Sequence, residues 1–230
     1  MKLNLPILEH VSNCRSLLIA GMGGGYDVYC GLPIYFALKA QGMNVHLANY
    51  SFTDTTLIDR GTRLTQWLIG VKGSEADELS YGPELHLARW FHEQGEDPTI
   101  WVFHKTGVRP LIEGYQALVE YLQIDGILLI DGGVDSLLRG DEAEIGTILE
   151  DLVSLVAVKE ISGVHTKLIA ATALGAEQDM CYAHVFENIA ALTKLGAFYG
   201  ACALTPDMQE YQDYQRRCCT RSLSPFKTPA

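Results

Sequence analysis

Asp131 and Asp135 stand four residues apart, with Gly132 and Gly133 between them, directly after the apolar run Ile127–Ile130. Carboxylates at the end of a buried strand are a common way to hold Mg²⁺ or Mn²⁺, with waters and substrate phosphates completing the octahedron. Grouping acids is costly without a cation, because like charges raise one another's pKa. More acids follow at Asp141, Glu142, Glu144, Glu150 and Asp151, so residues 131–151 carry seven acids and one base, Arg139. Asp131, Asp135 and Asp141 are the candidate metal ligands of this stretch, and Glu150 a candidate general base. A second reading stays open, in which Asp141, Glu142 and Glu144 face water and Asp131 caps a neighbouring turn.

An earlier glycine turn supplies the other half of a candidate site. After the apolar run Ser16–Ala20 comes GMGGGYD, Gly21 to Asp27. Gly23, Gly24 and Gly25 let backbone amides turn outward and form a nest for phosphate or carboxylate, with Asp27 behind them. Gly132, Gly133 and Ser136 of the later turn complete the expected ligand-binding set. The plainer alternative makes Asp27 a helix N-cap and the glycines a tight turn. The dinucleotide fingerprint needs a glycine where Tyr26 stands and an acid where the second strand ends in Asn49, and no GK[ST] follows the turn. No NAD or ATP motif is therefore present. His104, at a strand end after WVF, is a second candidate acid or base, although a histidine bonded to a loop group fits the same position. No GxSxG elbow supports a serine hydrolase.

These residues require strands that deliver them to one rim. Near-continuous apolar runs at Ser16–Ala20, Val45–Asn49, Thr99–Phe103, Gly126–Ile130 and Lys167–Ala171 predict strands covered on both faces. Helical patterns fall between and after them, at Pro33–Ala40, Pro83–Gln94, Pro110–Leu122, Gly146–Glu160, Tyr182–Leu195 and Asp207–Arg217. The region 50–82 is ambiguous, with a helix expected at Thr55–Gln66. The alternation predicts an α/β fold, a three-layer Rossmann-like arrangement of a mostly parallel sheet with helices on both faces. Ligands in such sheets collect at the carboxyl ends of the strands, where both glycine turns fall.

Composition narrows the function classes. The net charge of −11 argues against a nucleic-acid partner, since phosphate binding needs a basic face. No apolar run approaches membrane-span length, and the N-terminal MKLNLPILEHVSNCR lacks the continuous apolar region of a signal peptide. The expectation is a soluble cytoplasmic protein with no membrane partner. The six cysteines form no CxxC pair and suit packed, reduced thiols, with the vicinal Cys218–Cys219 open to oxidation. Trp67, Trp90 and Trp101 fall in apolar patterns that predict core positions. One domain is expected over residues 1–217, followed by a basic, poorly ordered tail over 218–230.

The run AGMGGGYDVYCGLPIYFAL resembles the domain of unknown function 1152 family, as do ILLIDGGVDSLLRGDEAEIGTILEDLVSLVAV and HVFENIAALTKLGAFYGACAL. The resemblance covers about Leu17 to Leu204. It implies an α/β domain and carries no assigned reaction. It also moves Asp141, Glu142 and Glu150 from solvated charges towards site residues. Family members usually continue past the point where GACALTPDMQEYQDYQ gives way to the basic tail, so the resemblance implies either that the missing part is dispensable or that this chain is a truncated member.

Taken together, the residues predict a binder of an anionic, phosphate- or carboxylate-bearing small molecule. Mg²⁺ or Mn²⁺ would serve as cofactor, and metal-assisted hydrolysis or transfer is the natural chemistry of that set. A non-catalytic regulatory or scaffold domain is the alternative, and self-association is left open.

Overall fold

The computed structural model describes residues 6–142, 148–175 and 180–218. The expected tail and Cys219 lie outside the described residues, apart from the backbone of Cys218, and so do Glu144 and the first two residues of the helix expected from Gly146.

One seven-stranded sheet runs through the molecule in the order β3-β4-β5-β2-β1-β6-β7. Its parallel strands are β1 (Ser16–Gly21), β2 (Asn44–Ser51), β5 (Ile100–His104), β6 (Gly126–Asp131) and β7 (Thr166–Ala171). All five were legible as apolar runs, and β1 shows why. Leu17 and Ile19 pack into the core on one face of the sheet, Leu18 and Ala20 into the core on the other, and all four are buried. A strand covered on both faces has no solvent side on which to place polar residues. Helices α3 (Leu32–Ala40) and α4 (Pro83–Glu93) cover the first face with Leu32, Tyr35, Leu87 and Phe91. Helices α5 (Val108–Leu122) and α6 (Ile148–Glu160) cover the second with Leu111, Tyr115, Ala157 and Val158. Each such large side chain contributes roughly 1.5–3 kcal/mol when fully buried. The remaining helices are α1 (Pro6–Ser12), the single turn α2 (Asp27–Cys30), α7 (Tyr182–Lys194) and α8 (Gln209–Cys218).

The region 50–82 corrects the expectation. No helix spans Thr55–Gln66. A 3-10 turn at Thr55–Leu57 leads into β3 (Thr62–Thr65) and β4 (Leu68–Val71), an antiparallel hairpin whose β4 pairs antiparallel with β5. The β-branched Thr62, Thr65, Ile69 and Val71 favour the pleated surface. Gly61 sits at φ +140° with the carbonyl oxygen of Gly70 only 2.5 Å from where a Cβ would be, so the hairpin needs glycine there. Trp67 ends up half-buried, stacked on His104, while Trp90 and Trp101 are core residues as expected. Cys14 is buried, but Cys181 and Cys202 are exposed, contrary to the packed-thiol reading. Among the described residues, no helix is long and apolar enough to cross a membrane.

This topology fixes where a ligand can sit. From β1 the chain steps outward through β2 to β5, then returns to the other side of β1 for β6 and β7. The order therefore reverses between β1 and β6, and a crevice opens beyond their carboxyl ends at such a reversal. Both glycine turns leave the sheet at that crevice.

Candidate metal centre

The turn after β1 does not enter a long helix. It passes through positive φ at Gly24 (+96°) and Gly25 (+59°), and then a single helical turn begins at Asp27. Among the described residues, the backbone amides of Gly24, Gly25 and Tyr26 meet no acceptor, which suits them to meet an anion. Asp27 is not an N-cap; Tyr26 holds that position. The Asp27 carboxylate instead ties the two turns together. Its Oδ2 accepts from the Gly23 amide at 2.6 Å and its Oδ1 from the Gly132 amide at 3.2 Å. A Cβ on Gly132 would lie 2.6 Å from Asp27 Oδ1, so the approach of the turns depends on glycine.

Around the second turn the backbone organises Asp131. Its Oδ1 accepts from the Gly133 amide at 2.7 Å and its Oδ2 from the Ser136 amide at 3.1 Å. The amides of Gly132 and Gly133 are thus committed to carboxylates, and the ligand-facing amides belong to the first turn. Asp135 opens the 3-10 turn Asp135–Leu137 and is buried. The third acid comes from α6. Asp151 shares its inward face with Ser154, Ala157, Val158 and Ile161, a spacing of three to four residues. Ser154 Oγ donates to the Met22 carbonyl at 2.6 Å, and the Met22 amide to the Ile130 carbonyl at 2.9 Å, pinning the helix to both turns.

Asp131, Asp135 and Asp151 each offer a carboxylate oxygen within 4.8 Å of the others, and are 3%, 2% and 1% exposed. They line a cavity of about 260 Å³ together with Gly23, Gly24, Gly25, Tyr26, Asp27 and Phe52. Among the described residues, no N–H or hydroxyl group donates to either oxygen of Asp151. Burial, then the charges of Asp131, Asp135 and Asp27, push its pKa up to about 9. Burial likewise lifts Asp27 to about 7 against the amides of Gly23 and Gly132 that favour its charged form, with Asp131 and Asp135 adding to the rise. Asp131 is raised by burial as well, opposed by its bonds to Ser136 and Gly133. Among the described residues, these three acids around one cavity have no positive partner.

The other expected residues fall elsewhere. Asp141 is exposed and stays out of the acidic group. His104 sits at the end of β5, its Nδ1 3.0 Å from Thr55 Oγ1 and its ring stacked on Trp67. That is the loop-bonded histidine rather than a base facing the cavity. Glu150 points away from the acids and pairs with Lys105 Nζ at 2.8 Å, which lowers its pKa. One residue along a helix turns a side chain by about 100°, and that rotation gives Asp151, not Glu150, to the site. Glu142 is held by the amides of Arg139 and Gly140, which pull its pKa down to about 2.

Sequence reading missed the support beneath the first turn. Glu84 is completely buried in α4, accepting from Asn49 Nδ2 at 2.5 Å and Thr53 Oγ1 at 2.8 Å. Asn49 Nδ2 also donates to the Gly25 carbonyl at 3.1 Å. The asparagine that replaces a ribose-binding acid thus holds the glycine turn, and a Cβ on Gly21 would lie 2.0 Å from Asn49 Oδ1. Phe52 was missed too. Its ring covers Gly24, 2.6 Å from where a Cβ would stand, and Lys105 Nζ lies 4.5 Å from the ring centroid.

A family model described as a protein of unknown function (DUF1152) matches residues 77–222. The match takes in Asp131, Asp135 and Asp151 and begins after the first glycine turn. No curated protein and no solved structure matches the chain. The matched span covers well over half of the sequence, and the chain belongs to the DUF1152 family.

Proposed function

We propose that this protein binds a divalent cation of the Mg²⁺ or Mn²⁺ class and uses it to receive the anionic group of a small molecule, with hydrolysis or transfer at that group as its chemistry. The observation that carries the reading is Asp151, a fully buried carboxylate that meets no N–H or hydroxyl donor among the described residues, set against Asp131 and Asp135. An all-oxygen set of carboxylates suits a hard cation. A bound divalent ion supplies charge neutralisation and water activation there. The chain's own residues do the rest. Asp131 is held in orientation by the Gly133 and Ser136 amides. The amides of Gly24, Gly25 and Tyr26 face an incoming phosphate or carboxylate. Phe52 shields the turn from water. The cavity is smaller than the roughly 300–1,000 Å³ typical for drug-sized ligands, which favours a phosphate ester or dicarboxylate over a whole dinucleotide. The acidic balance of the chain sets nucleic acid aside, and a soluble cytoplasmic ligand is the partner we favour.

Thermal unfolding with Mg²⁺ or Mn²⁺ and a panel of phosphate esters and dicarboxylates tests this. Ligand at 100-fold over Kd stabilises by about 2.7 kcal/mol, several degrees for a chain of this size. The expected result is a shift in wild type that needs metal and disappears in Asp131→Asn. No shift with any metal would refute the reading.

One observation favours a second reading, a non-catalytic scaffold. Leu149, Leu152 and Val156 form a stripe on α6 opposite its buried face, and all three are exposed. A contiguous apolar face marks a contact surface. Leu152→Glu separates the two, because only the scaffold reading ties the protein's role to a change in its assembly state.

A further inference from the structure

The cavity that the acids line also has exposed aromatic residues in its wall. Tyr26 and Phe52 both line it, and each is 42% exposed. A large ring open to water is informative where it borders a cavity, because aromatic side chains supply the apolar contact area of small-molecule sites. Both rings are held in place by the protein. The Cζ and Cε edge of Phe52 stands against Gly24, and Lys105 Nζ lies over the ring, 4.5 Å from its centroid. Tyr26 meets Tyr29 edge-on with centroids 5.5 Å apart, and Tyr29 Oη donates to the Pro83 carbonyl at 2.8 Å. A platform fixed before its ligand arrives has less freedom to lose on binding. Tyr81, 37% exposed, adjoins the pair. Burial and Glu84, and after them Tyr26 and Asp27, push its pKa up to about 12.

The two rings stand beside the groups suited to receive an anion. Phe52 lies over Gly24, and Tyr26 follows Gly25. They thus bracket the Gly24–Tyr26 amides, which meet no acceptor among the described residues. A bare or aliphatic phosphate on those amides would leave both rings in water, whereas a planar ring joined to the phosphate would cover them. Acids, amides and rings share one cavity of about 260 Å³, so the ring and the phosphate of such a ligand must be only a few bonds apart.

We propose that the ligand is a phosphate ester of a planar aromatic ring, and that Tyr26 and Phe52 form the platform on which this ring stacks. The inference rests on the metal reading above and names the substrate class of that site. Stacking a planar ring on aromatic side chains strengthens binding on the order of tenfold or more.

Calorimetric titration of the full chain in saturating Mn²⁺ with inorganic phosphate, phenyl phosphate, cyclohexyl phosphate and adenosine 5′-monophosphate tests this. In wild type, phenyl phosphate should bind at least tenfold tighter than inorganic phosphate, and cyclohexyl phosphate, apolar but not planar, should gain much less. In a Tyr26→Leu, Phe52→Leu double variant the ratio of phenyl phosphate to inorganic phosphate affinity should fall to within about twofold of one, and Mn²⁺ uptake by the variant reports that the acids keep their place. Adenosine 5′-monophosphate, whose ribose parts ring from phosphate, should bind more weakly than phenyl phosphate, and the reverse order overturns the aryl assignment. Wild type that binds Mn²⁺ but gains nothing from the phenyl ring, gains as much from cyclohexyl phosphate, or binds none of the phosphates overturns the inference while the metal reading stands. A phenyl preference that survives intact in the double variant overturns the platform in the same way. Wild type that takes up no Mn²⁺ overturns both.

Discussion

Asparagine at position 151 should make the metal-free protein more stable, although it replaces a residue central to the site. Asp151 is 1% exposed, and its pKa is pushed up to about 9 by burial and by its acidic neighbours. In the unfolded chain an aspartate titrates near its ordinary value of ~3.9. At pH 7 the folded state therefore holds a proton that the unfolded state releases. Folding then opposes a gradient of about 1.4 kcal/mol per pH unit across roughly three units, on the order of 4 kcal/mol in all. Asparagine has nearly the same shape and nothing to titrate, so Asp151→Asn should recover most of this. At ~2–4 °C per kcal/mol for this chain length, the melting temperature in EDTA at pH 7 should rise by roughly 6–15 °C.

The sign of the pH dependence follows. An acid whose folded pKa is raised stabilises fully below its unfolded pKa and loses that contribution as pH climbs towards the folded value. The gain from Asp151→Asn should thus shrink to roughly a third of its pH 7 value at pH 5 and grow towards pH 9. Mn²⁺ should narrow the difference between the two proteins, since wild type gains more from the ion than the variant does. Differential scanning calorimetry at pH 5, 7 and 8.5, with EDTA and with Mn²⁺, reads all of this. A variant less stable than wild type in EDTA at pH 7, or a gain that does not change with pH, would refute the reasoning.

Other perturbations separate neighbouring residues. Glu150→Gln removes only a partly exposed pair with Lys105, a contact worth at most about 1 kcal/mol, and should leave Mn²⁺ affinity within twofold of wild type by calorimetric titration. His104→Ala should likewise leave metal binding intact, because its ring contacts Thr55 and Trp67 rather than the acids. Glu84→Ala should cost on the order of 3 kcal/mol in urea unfolding, since it strands the buried amide of Asn49 and the hydroxyl of Thr53. Gly24→Ala, at φ +96° and against the Phe52 ring, should be destabilising even with metal present, and Phe52→Ala on the same background should relieve only the steric part.

The strands of the parallel sheet were legible because a doubly covered strand must be apolar throughout, and Leu17 to Ala20 announce this residue by residue. The β3–β4 hairpin was hidden. Its strands are only four residues each, β3 threonine-bearing and largely exposed and β4 buried but too short to announce itself, and what selects the hairpin over a helix is the antiparallel seat on β5, a tertiary contact. The candidate site was half visible. Asp27, Asp131 and Asp135 adjoin glycines at strand ends, where local sequence alone places a carboxylate on a rim. Asp151 was obscured by its neighbour Glu150, and only the phase of α6 distinguishes them. Its three-to-four-residue spacing with Ser154, Ala157, Val158 and Ile161 was the available signal. Asp141 misled through nearness in sequence, and Glu84 came unannounced because a fully buried acid is intelligible only once its partners Asn49 and Thr53 are in place.

The central claim is that buried carboxylates around Asp151 hold a divalent cation, and titration calorimetry of Mn²⁺ into wild type and Asp151→Asn tests it most directly. Runs in two buffers of different ionisation enthalpy add the proton count. The account predicts saturable binding to wild type with net proton release near neutral pH, because Asp151 must give up its proton to bind the ion, and a loss of at least tenfold in affinity in the variant. Wild type without saturable heat, or a variant that binds as tightly as wild type, would contradict it.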